Sequence, residues 1–329
     1  MRFTHVGVAA LAVAALTLTA CSGGSSSTGA ASDGGSADGA FPVTVSTEFG
    51  DVTVEKKPVR VVALGWGDAE TALALGVQPV GASDWLSFGG EGVGPWAEGL
   101  YDTPPEIIET LEPSYEAIAA LKPDLILDTK SSGDKDRYDK LSSIATTVGV
   151  PEGKTSYLTT MDEQMDLVSS ALGRHDEGEK LLDGVDQAYE AAAAAHPEWK
   201  GKTVAAATKT SEGWGAYIDG SERVSFLERL GFVQSPAIAA LPANDGGFSV
   251  DISSEQLDLL DADLIVAFPI FIDTAEITGD PLFQAVPAVA DGRSVVIDGD
   301  LSAAYSLGTT LAAKFSIENL VPKIADALK

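Results

Sequence analysis

Cysteine and histidine are scarce in this chain of 329 residues. Cys21 is the only cysteine, so no disulfide can form within the chain. The three histidines, His5, His175 and His196, do not cluster with one another or with the cysteine. Because metal sites in proteins are commonly built from clustered Cys and His ligands, we expect no metal site made of protein ligands. Packing must therefore stabilise the fold.

Positive charge is also in short supply. The chain has 21 Lys and Arg against 49 Asp and Glu, which gives a formal net charge of −28. No basic stripe is present, and the negative field of the protein would oppose contacts with phosphates, so nucleic acid is excluded as a partner. The acidity mildly favours neutral or cationic ligands over polyanionic ones.

Motifs for catalysis are missing as well. The sequence contains no G-x-S-x-G, no P-loop and no G-x-G-x-x-G after a predicted strand. Paired carboxylates arise by chance among 49 acids and indicate nothing alone. We therefore expect a binding protein rather than an enzyme.

The N-terminus has the features of a targeting segment. Arg2 is followed by an apolar stretch from Val6 to Ala20, which is too short to span a bilayer comfortably. The stretch ends in "LTAC", which resembles a bacterial lipobox and predicts that Cys21 is lipidated. An ordinary signal peptide with an incidental cysteine is the alternative. Residues 1–20 are thus predicted to be a lipoprotein signal peptide, and the Ser/Gly-rich residues 21–40 a flexible tether.

Short apolar runs alternate with segments of helical length beyond residue 40. A hairpin, a strand, a helix and a strand are predicted in turn at residues 42–56, 60–65, 68–76 and 79–83. The alternation resumes after residue 200 and ends in a helix over 309–328. This order predicts an α/β fold with two Rossmann-like lobes, each built on a central and mainly parallel sheet.

A long helical segment lies between the two halves. Apolar residues recur at helical spacing from Asp176, an alanine run follows, and Pro197 stops the pattern. At full length the helix would reach about 30 Å, the width of a lobe. We predict an N-terminal lobe over 41–175, a rigid interdomain helix over 176–197 and a C-terminal lobe over 198–329. A packing helix inside one domain is the alternative.

One phrase occurs twice in the chain. "SYEAIAALKPDLIL" begins at Ser114 and "SSEQLDLLDADLIV" at Ser253, and each predicts a helix, a turn and an apolar strand. The serine stands at the N-cap position of each helix, and a glutamate, Glu116 or Glu255, lies in the first turn. A negative charge there interacts favourably with the helix dipole and stabilises the helix, and this effect alone accounts for the presence of both glutamates.

Aromatic and cationic side chains follow the predicted strands in both halves. Ligands of parallel sheets bind beyond the carboxyl ends of the strands, so these side chains predict a cleft between the lobes. Each of them taken alone is more typical of core packing or of a solvated loop. The candidate ligand-binding residues are Trp66, Trp85, Lys130, Trp214, Tyr217, Arg223, Phe268 and Tyr305.

Five segments together resemble the solute-binding lipoproteins of ABC transporters that import iron–siderophore complexes. The resemblance runs from about Arg60 to the C-terminus, and its segments are "KPVRVVALGWGDAETALALGVQPVGASDW", "YEAIAALKPDLIL", "DRYDKLSSIATTVG", "ISSEQLDLLDADLIVAF" and "PLFQAVPAVADGRSVVID". The family implies two lobes joined by one long helix, little hinge closure, and a ferric siderophore bound between the lobes. It implies no cofactor and no protein-bound metal, because the siderophore holds the iron.

The resemblance also implies roles for single residues. Catecholate-binding members use three cationic side chains, and the matching positions here are Lys130, Arg223 and Phe268. Since one of the three is aromatic, a hydroxamate or mixed-type siderophore is favoured. Glu116 and Glu255 match glutamates that meet arginines of the permease.

The partners implied are an ABC permease, either a homodimer or a pseudo-symmetric heterodimer, and a small ferric complex. The protein is expected to be a monomer, held to the extracytoplasmic face of the cell membrane only by its lipid. Haem or cobalamin as the ligand, and an extracytoplasmic enzyme or adhesin on the same lobes, are the alternatives.

Overall fold

The structure of the protein is a computed structural model that describes residues 41–84, 86–109, 111–154 and 157–329. The predicted signal peptide, Cys21, the tether and Trp85 lie outside the described residues. Within the described ranges, no helix combines the length and the apolar character that a bilayer span requires.

The strands of the described residues form a two-stranded hairpin and two larger sheets. In chain order they are β1 (Val43–Thr47), β2 (Gly50–Val54), β3 (Val61–Ala63), β4 (Gly81–Ser83), β5 (Glu106–Ile108), β6 (Leu125–Leu127), β7 (Thr146–Val148), β8 (Thr203–Thr210), β9 (Gly213–Tyr217), β10 (Val233–Gln234), β11 (Ser249–Ile252), β12 (Leu264–Pro269) and β13 (Ser294–Val296).

The first sheet is parallel and has the strand order β5-β4-β3-β6-β7. The chain moves outward from β3 to β5 and then crosses back to β6 on the other side of β3. The carboxyl ends of β3 and β6 therefore mark a topological switch point, where ligands of open α/β sheets bind. The predicted hairpin is confirmed as the antiparallel pair β1 and β2.

The second sheet has the order β11-β9-β8-β12-β13, with β10 also paired to β8. Its central strands β8, β12 and β13 are parallel. Among its described strands only β9 runs the other way, because it forms a hairpin with β8. The switch point of this sheet lies between the carboxyl ends of β8 and β12. The two lobes on mainly parallel sheets are therefore confirmed.

Helices cover the sheets and connect their strands. In chain order they are α1 (Asp68–Ala74), α2 (Tyr115–Ala120), α3 (Lys135–Ser142), α4 (Met161–Ala171), α5 (His175–Ala195), α6 (Glu222–Arg229), α7 (Pro236–Ala239), α8 (Ala275–Thr278), α9 (Pro281–Gln284), α10 (Pro287–Ala290), α11 (Gly299–Leu307) and α12 (Thr310–Ala327). Short 3-10 helices occupy Pro95–Ala97, Pro197–Trp199 and Ser254–Leu260. We call the part from β1 to α4 the first lobe and the part from β8 to α12 the second lobe.

The two copies of the repeated phrase fold differently. Ser114 caps α2, and its hydroxyl oxygen accepts a hydrogen bond from the amide of Ala117 at 3.3 Å. The second copy forms a 3-10 helix with a kink at Gln256, and Ser253 donates to the side chain of Gln256 instead of capping. The second predicted helix is thus present as a kinked 3-10 helix, and Ser253 stands at its N-cap position without bonding to its backbone amides, because its hydroxyl bonds to the side chain of Gln256.

The predicted long helix is present as α5. It packs against α4 of the first lobe and α12 of the second, with Val185 and Tyr189 buried at its inner face. The helix ends two residues before Pro197, which starts a 3-10 helix. The lobe boundaries at residues 175 and 198 stay a prediction.

Candidate functional site

A cavity of about 720 Å³ opens between the carboxyl edges of the two sheets. The first lobe lines it with Trp66, Asp84, Leu86, Glu109, Leu111 and Glu112. The second lobe lines it with Arg223, Phe268, Pro269, Ile270, Phe271, Gly299, Ser302, Ala303 and Ser306. Its volume lies within the range of small-molecule sites, and its position is the one that the switch points of both sheets predict.

Trp66 stands at the switch point of the first sheet. Its amide donates a hydrogen bond to the carbonyl of Lys130 at 2.9 Å, which ties the loop after β3 to the loop after β6. Its ring stacks on Tyr157, with the ring centroids 4.0 Å apart. Tyr157 was not among the predicted site residues, because it follows no predicted strand. The stack fixes the indole at the cavity wall.

The carboxylate of Asp68 connects the two loops that form this wall. Its buried carboxylate accepts hydrogen bonds from the amides of Gly65 at 3.0 Å and Thr129 at 2.9 Å, and from the side chains of Thr129 and Gln164. Burial raises the pKa of Asp68, and these donors oppose the rise. The loops also approach each other closely, since a Cβ on Gly65 would lie 2.7 Å from the amide nitrogen of Lys130.

Arg223 is the cation of the cavity wall. It lies in the first turn of α6 and is 7% exposed. Its guanidinium carbon lies 4.4 Å from the centre of the Tyr217 ring, and Tyr305 donates a hydrogen bond to its carbonyl at 2.6 Å. Among the described residues its Nε atom has no hydrogen-bond partner. Tyr217 and Tyr305 therefore lie behind the wall and position the arginine.

Phe268 is the penultimate residue of β12 and lines the cavity beside this arginine. Its ring is stacked on Tyr217 with the centroids 5.8 Å apart and lies edge-on to Tyr305 at 6.0 Å. Since Tyr217 and Tyr305 are themselves buried, the three rings form one cluster that presents a single aromatic face to the cavity.

Lys130 does not line the cavity. It is 4% exposed, and its Nζ lies 3.9 Å from a carboxylate oxygen of Glu222 in the second lobe. Burial lowers the pKa of Lys130 and raises that of Glu222. The lysine predicted to face the ligand thus makes an ion pair between the lobes instead.

Trp214 belongs to the core and not to the cavity, which corrects its predicted placement. Side chains alternate along a strand, so Trp214 and Tyr217, three residues apart in β9, point to opposite faces of the sheet. The Trp214 ring stacks on Phe283 at 4.9 Å, and its indole nitrogen donates to Asp280 at 3.2 Å. The sequence pattern did not predict β9, and this made the tryptophan look like part of a loop.

Three acids of the cavity wall were missed by sequence reasoning. Asp84 follows β4, and Glu109 and Glu112 follow β5. The prediction had no strand at β5, so the residues after it were not considered. Within the described ranges, no group of three or more His, Cys, Asp or Glu side chains is arranged to hold a metal ion.

Glu116 and Glu255 are both exposed, one at the start of α2 and the other in the 3-10 helix of the second lobe. Neither lines the cavity. Both are therefore placed where they can meet another protein without touching a bound ligand.

The chain is similar to proteins of known class. The model of the periplasmic binding protein family matches residues 61–301. A Bacillus subtilis protein named as a probable siderophore-binding lipoprotein is 29% identical over 260 residues, which cover 74% of this chain and 76% of that protein.

Solved structures agree in fold over nearly the whole described chain. The Streptococcus pneumoniae protein PiaA in complex with ferrichrome has a TM-score of 0.75 at 27% identity and covers 87% of this chain and 98% of its own. A periplasmic solute-binding protein of Mycobacterium smegmatis has a TM-score of 0.73 at 28% identity, with 87% and 99% covered. The family match begins at β3 and ends within α11, so it takes in both sheets. The chain therefore belongs to the periplasmic binding protein family.

Proposed function

We propose that this protein is the substrate-binding component of an ABC importer and that it captures a ferric siderophore in the cavity between its lobes. The observation that carries the proposal is the cavity itself, which brings the cation Arg223 together with the aromatic side chains of Trp66 and Phe268. Relatives named as a siderophore-binding lipoprotein and as a ferrichrome complex support this ligand class.

The charges of the cavity favour a hydroxamate or mixed-type siderophore over a catecholate. Ferric tris-catecholates carry three negative charges and need several cations. Here Arg223 is the one cation of the described lining, because Lys130 is paired with Glu222 and Phe268 is aromatic. A neutral complex presents oxygen donors that a single guanidinium can meet.

Titration with ferric complexes tests this function. We expect quenching of tryptophan fluorescence by a ferric hydroxamate and weaker or no quenching by a ferric catecholate, ferric citrate, haem or cobalamin. Arg223→Gln should weaken binding by about 1.5–3 kcal/mol, the usual worth of a hydrogen bond to a charged group.

Arg229→Gln is the matched control, since Arg229 lies on the same helix, pairs with Asp186 and does not line the cavity. Equal affinity of the wild type and Arg223→Gln for the ligand that binds best would contradict the proposed site. Tight binding of haem or cobalamin alone would replace the siderophore with that ligand.

We also infer that Cys21 carries the lipid that holds the protein at the extracytoplasmic face of the membrane. The lipobox-like sequence before it supports this, as does the name of the Bacillus relative as a lipoprotein. In fractionated cells, a Cys21→Ala variant should leave the membrane fraction or stay unprocessed. A fully processed variant that remained in the membrane would contradict lipidation at this residue.

A further inference from the structure

The two walls of the cavity differ in charge. The charged side chains on the wall of the first lobe are Asp84, Glu109 and Glu112, and all three are acids. On the wall of the second lobe the one charged side chain among the described lining residues is Arg223. A ligand in this cavity thus meets three carboxylates on one side and a guanidinium on the other.

Two of the three acids are free to meet a ligand. Glu109 and Glu112 are exposed and take part in none of the hydrogen bonds or ion pairs that join described residues. Asp84 is already engaged, because its carboxylate accepts from the amides of Phe88 at 2.9 Å and Gly89 at 2.8 Å.

Exposed acids alone are ordinarily solvated, but the opposite wall supplies an independent sign of a ligand. Arg223 is more than nine-tenths buried, lines the cavity and leaves its Nε atom without a partner in the described chain. The Nε atom itself is enclosed, but no hydrogen bond or ion pair joins the rest of this guanidinium to another described residue, so its remaining donors are available to a ligand oxygen. The two walls together fit a ligand with oxygen donors at one end and a positive charge at the other.

The space between these charged groups is apolar. Leu86, Ile270 and Ala303 contribute to the lining, and Leu111 and Phe271 are 72% and 86% exposed there. Exposed apolar side chains next to a cavity commonly mark a binding surface. They suit the methylene spacers of a linear chelator.

We propose that the cavity selects a linear ferric hydroxamate that carries a free, protonated amine. The hydroxamate oxygens face Arg223, the spacers lie along the apolar side chains, and the ammonium group faces Glu109 and Glu112. This selectivity rests on the proposed siderophore-binding function and further specifies that the bound siderophore carries a positive charge. The overall charge of −28 acts in the same direction, because it attracts a cationic complex over long range.

A matched pair of ligands tests the proposal. The probes are a linear ferric tris-hydroxamate that ends in a primary amine and the same chelate with that amine acetylated, which removes the charge and keeps the iron centre. By calorimetric titration, the wild type should bind the amine form about twofold to fivefold more tightly, the range expected for exposed ion pairs. The preference should shrink as the salt concentration rises.

The variant Glu109→Gln with Glu112→Gln should lose the preference and keep its affinity for the acetylated chelate. The control Glu98→Gln with Glu106→Gln removes two exposed acids that do not line the cavity, and it should keep the preference. Equal affinity of the wild type for the two chelates, or a preference that survives in the Glu109/Glu112 variant, overturns this inference and leaves the proposed function standing. Binding of other ferric complexes but of neither chelate also overturns it, whereas binding of no ferric siderophore at all overturns the proposed function.

Discussion

Glu70 shows how one buried carboxylate joins the two lobes. It lies in α1 of the first lobe, is 2% exposed, and accepts hydrogen bonds from the indole of Trp96 at 2.8 Å and the amide of Gly94 at 3.3 Å. Its third donor is the hydroxyl of Thr309 at 2.7 Å, the residue that also caps α12 of the second lobe. Burial raises the pKa of Glu70 to about 6, and the three donors limit the rise.

This raised pKa makes the stability of the protein depend on pH. The folded state binds the Glu70 proton more tightly than the unfolded state does. Its contribution is therefore fully present below the unfolded pKa of about 4.5 and is lost as the pH rises through about 6. The shift corresponds to about 2 kcal/mol.

Urea unfolding of the wild type and of Glu70→Gln measures this contribution. The free energy of unfolding of the wild type, relative to that of the variant, should rise by up to about 2 kcal/mol as the pH falls from 7 to 4.5. Subtracting the variant removes the contribution of all other titrating groups. A difference that does not change with pH would show that Glu70 ionises normally in the folded protein.

At the scale of the element, strand β9 carries two aromatic residues that look alike in sequence but have different roles. Its Tyr217 supports Arg223 behind the cavity, and its Trp214 packs on Phe283 at the opposite face of the sheet. Trp66, by contrast, lines the cavity from the loop after β3. The two tryptophans should therefore respond differently to substitution.

We expect Trp214→Phe to destabilise the fold by about 1–3 kcal/mol, because it removes core volume and the hydrogen bond to Asp280. Its ligand affinity should remain that of the wild type. Trp66→Ala should weaken ligand binding by roughly 1–3 kcal/mol, the loss typical of an aromatic anchor. Thermal unfolding and calorimetric titration of both variants check this, and the opposite pattern would return Trp214 to the binding site.

At the scale of the whole molecule, the lobes are held together by more than the long helix. The ion pair of Lys130 with Glu222 joins them, and Trp96 of the first lobe packs against Phe315 of α12 at 5.2 Å between ring centroids. These contacts beneath the cavity favour limited hinge motion. We therefore expect the protein to present nearly the same outer surface with and without its ligand.

That outer surface includes one exposed glutamate per lobe, Glu116 and Glu255. One acid on each lobe suits a permease whose two halves are related by twofold symmetry. Charges at such a rim affect docking more than ligand affinity. We predict that Glu116→Ala with Glu255→Ala leaves siderophore binding and the melting temperature nearly unchanged while uptake of the iron complex by cells is lost.

Uptake of labelled iron complex by cells that express each variant at the native level is the measurement. Glu98→Ala with Asp219→Ala serves as the control, because both residues are exposed acids outside the repeated phrases. Normal uptake by the Glu116/Glu255 variant would leave both residues as acids that merely stabilise helix starts.

The sequence alone was enough to predict the features that depend on neighbouring residues. The hairpin, the alternation of strands and helices, and the long helix α5 follow from periodicity, turn residues and caps, which act over a few positions. Local patterns also placed Trp66 and Phe268 at the carboxyl ends of strands, and both line the cavity.

Only the tertiary structure decided which side chains meet. Trp214 lies in the core because β9, which was not predicted, directs its side chain to the opposite face of the sheet from Tyr217. Lys130 was predicted to face the ligand but pairs with Glu222 of the other lobe. Glu109 and Glu112 of the cavity wall emerged only once β5 was placed in the sheet. Glu70 and Thr309 are 239 residues apart in sequence, yet they share a hydrogen bond. Local propensity carries no information about such a pair, because the contact forms only when the packing of both lobes brings its members together.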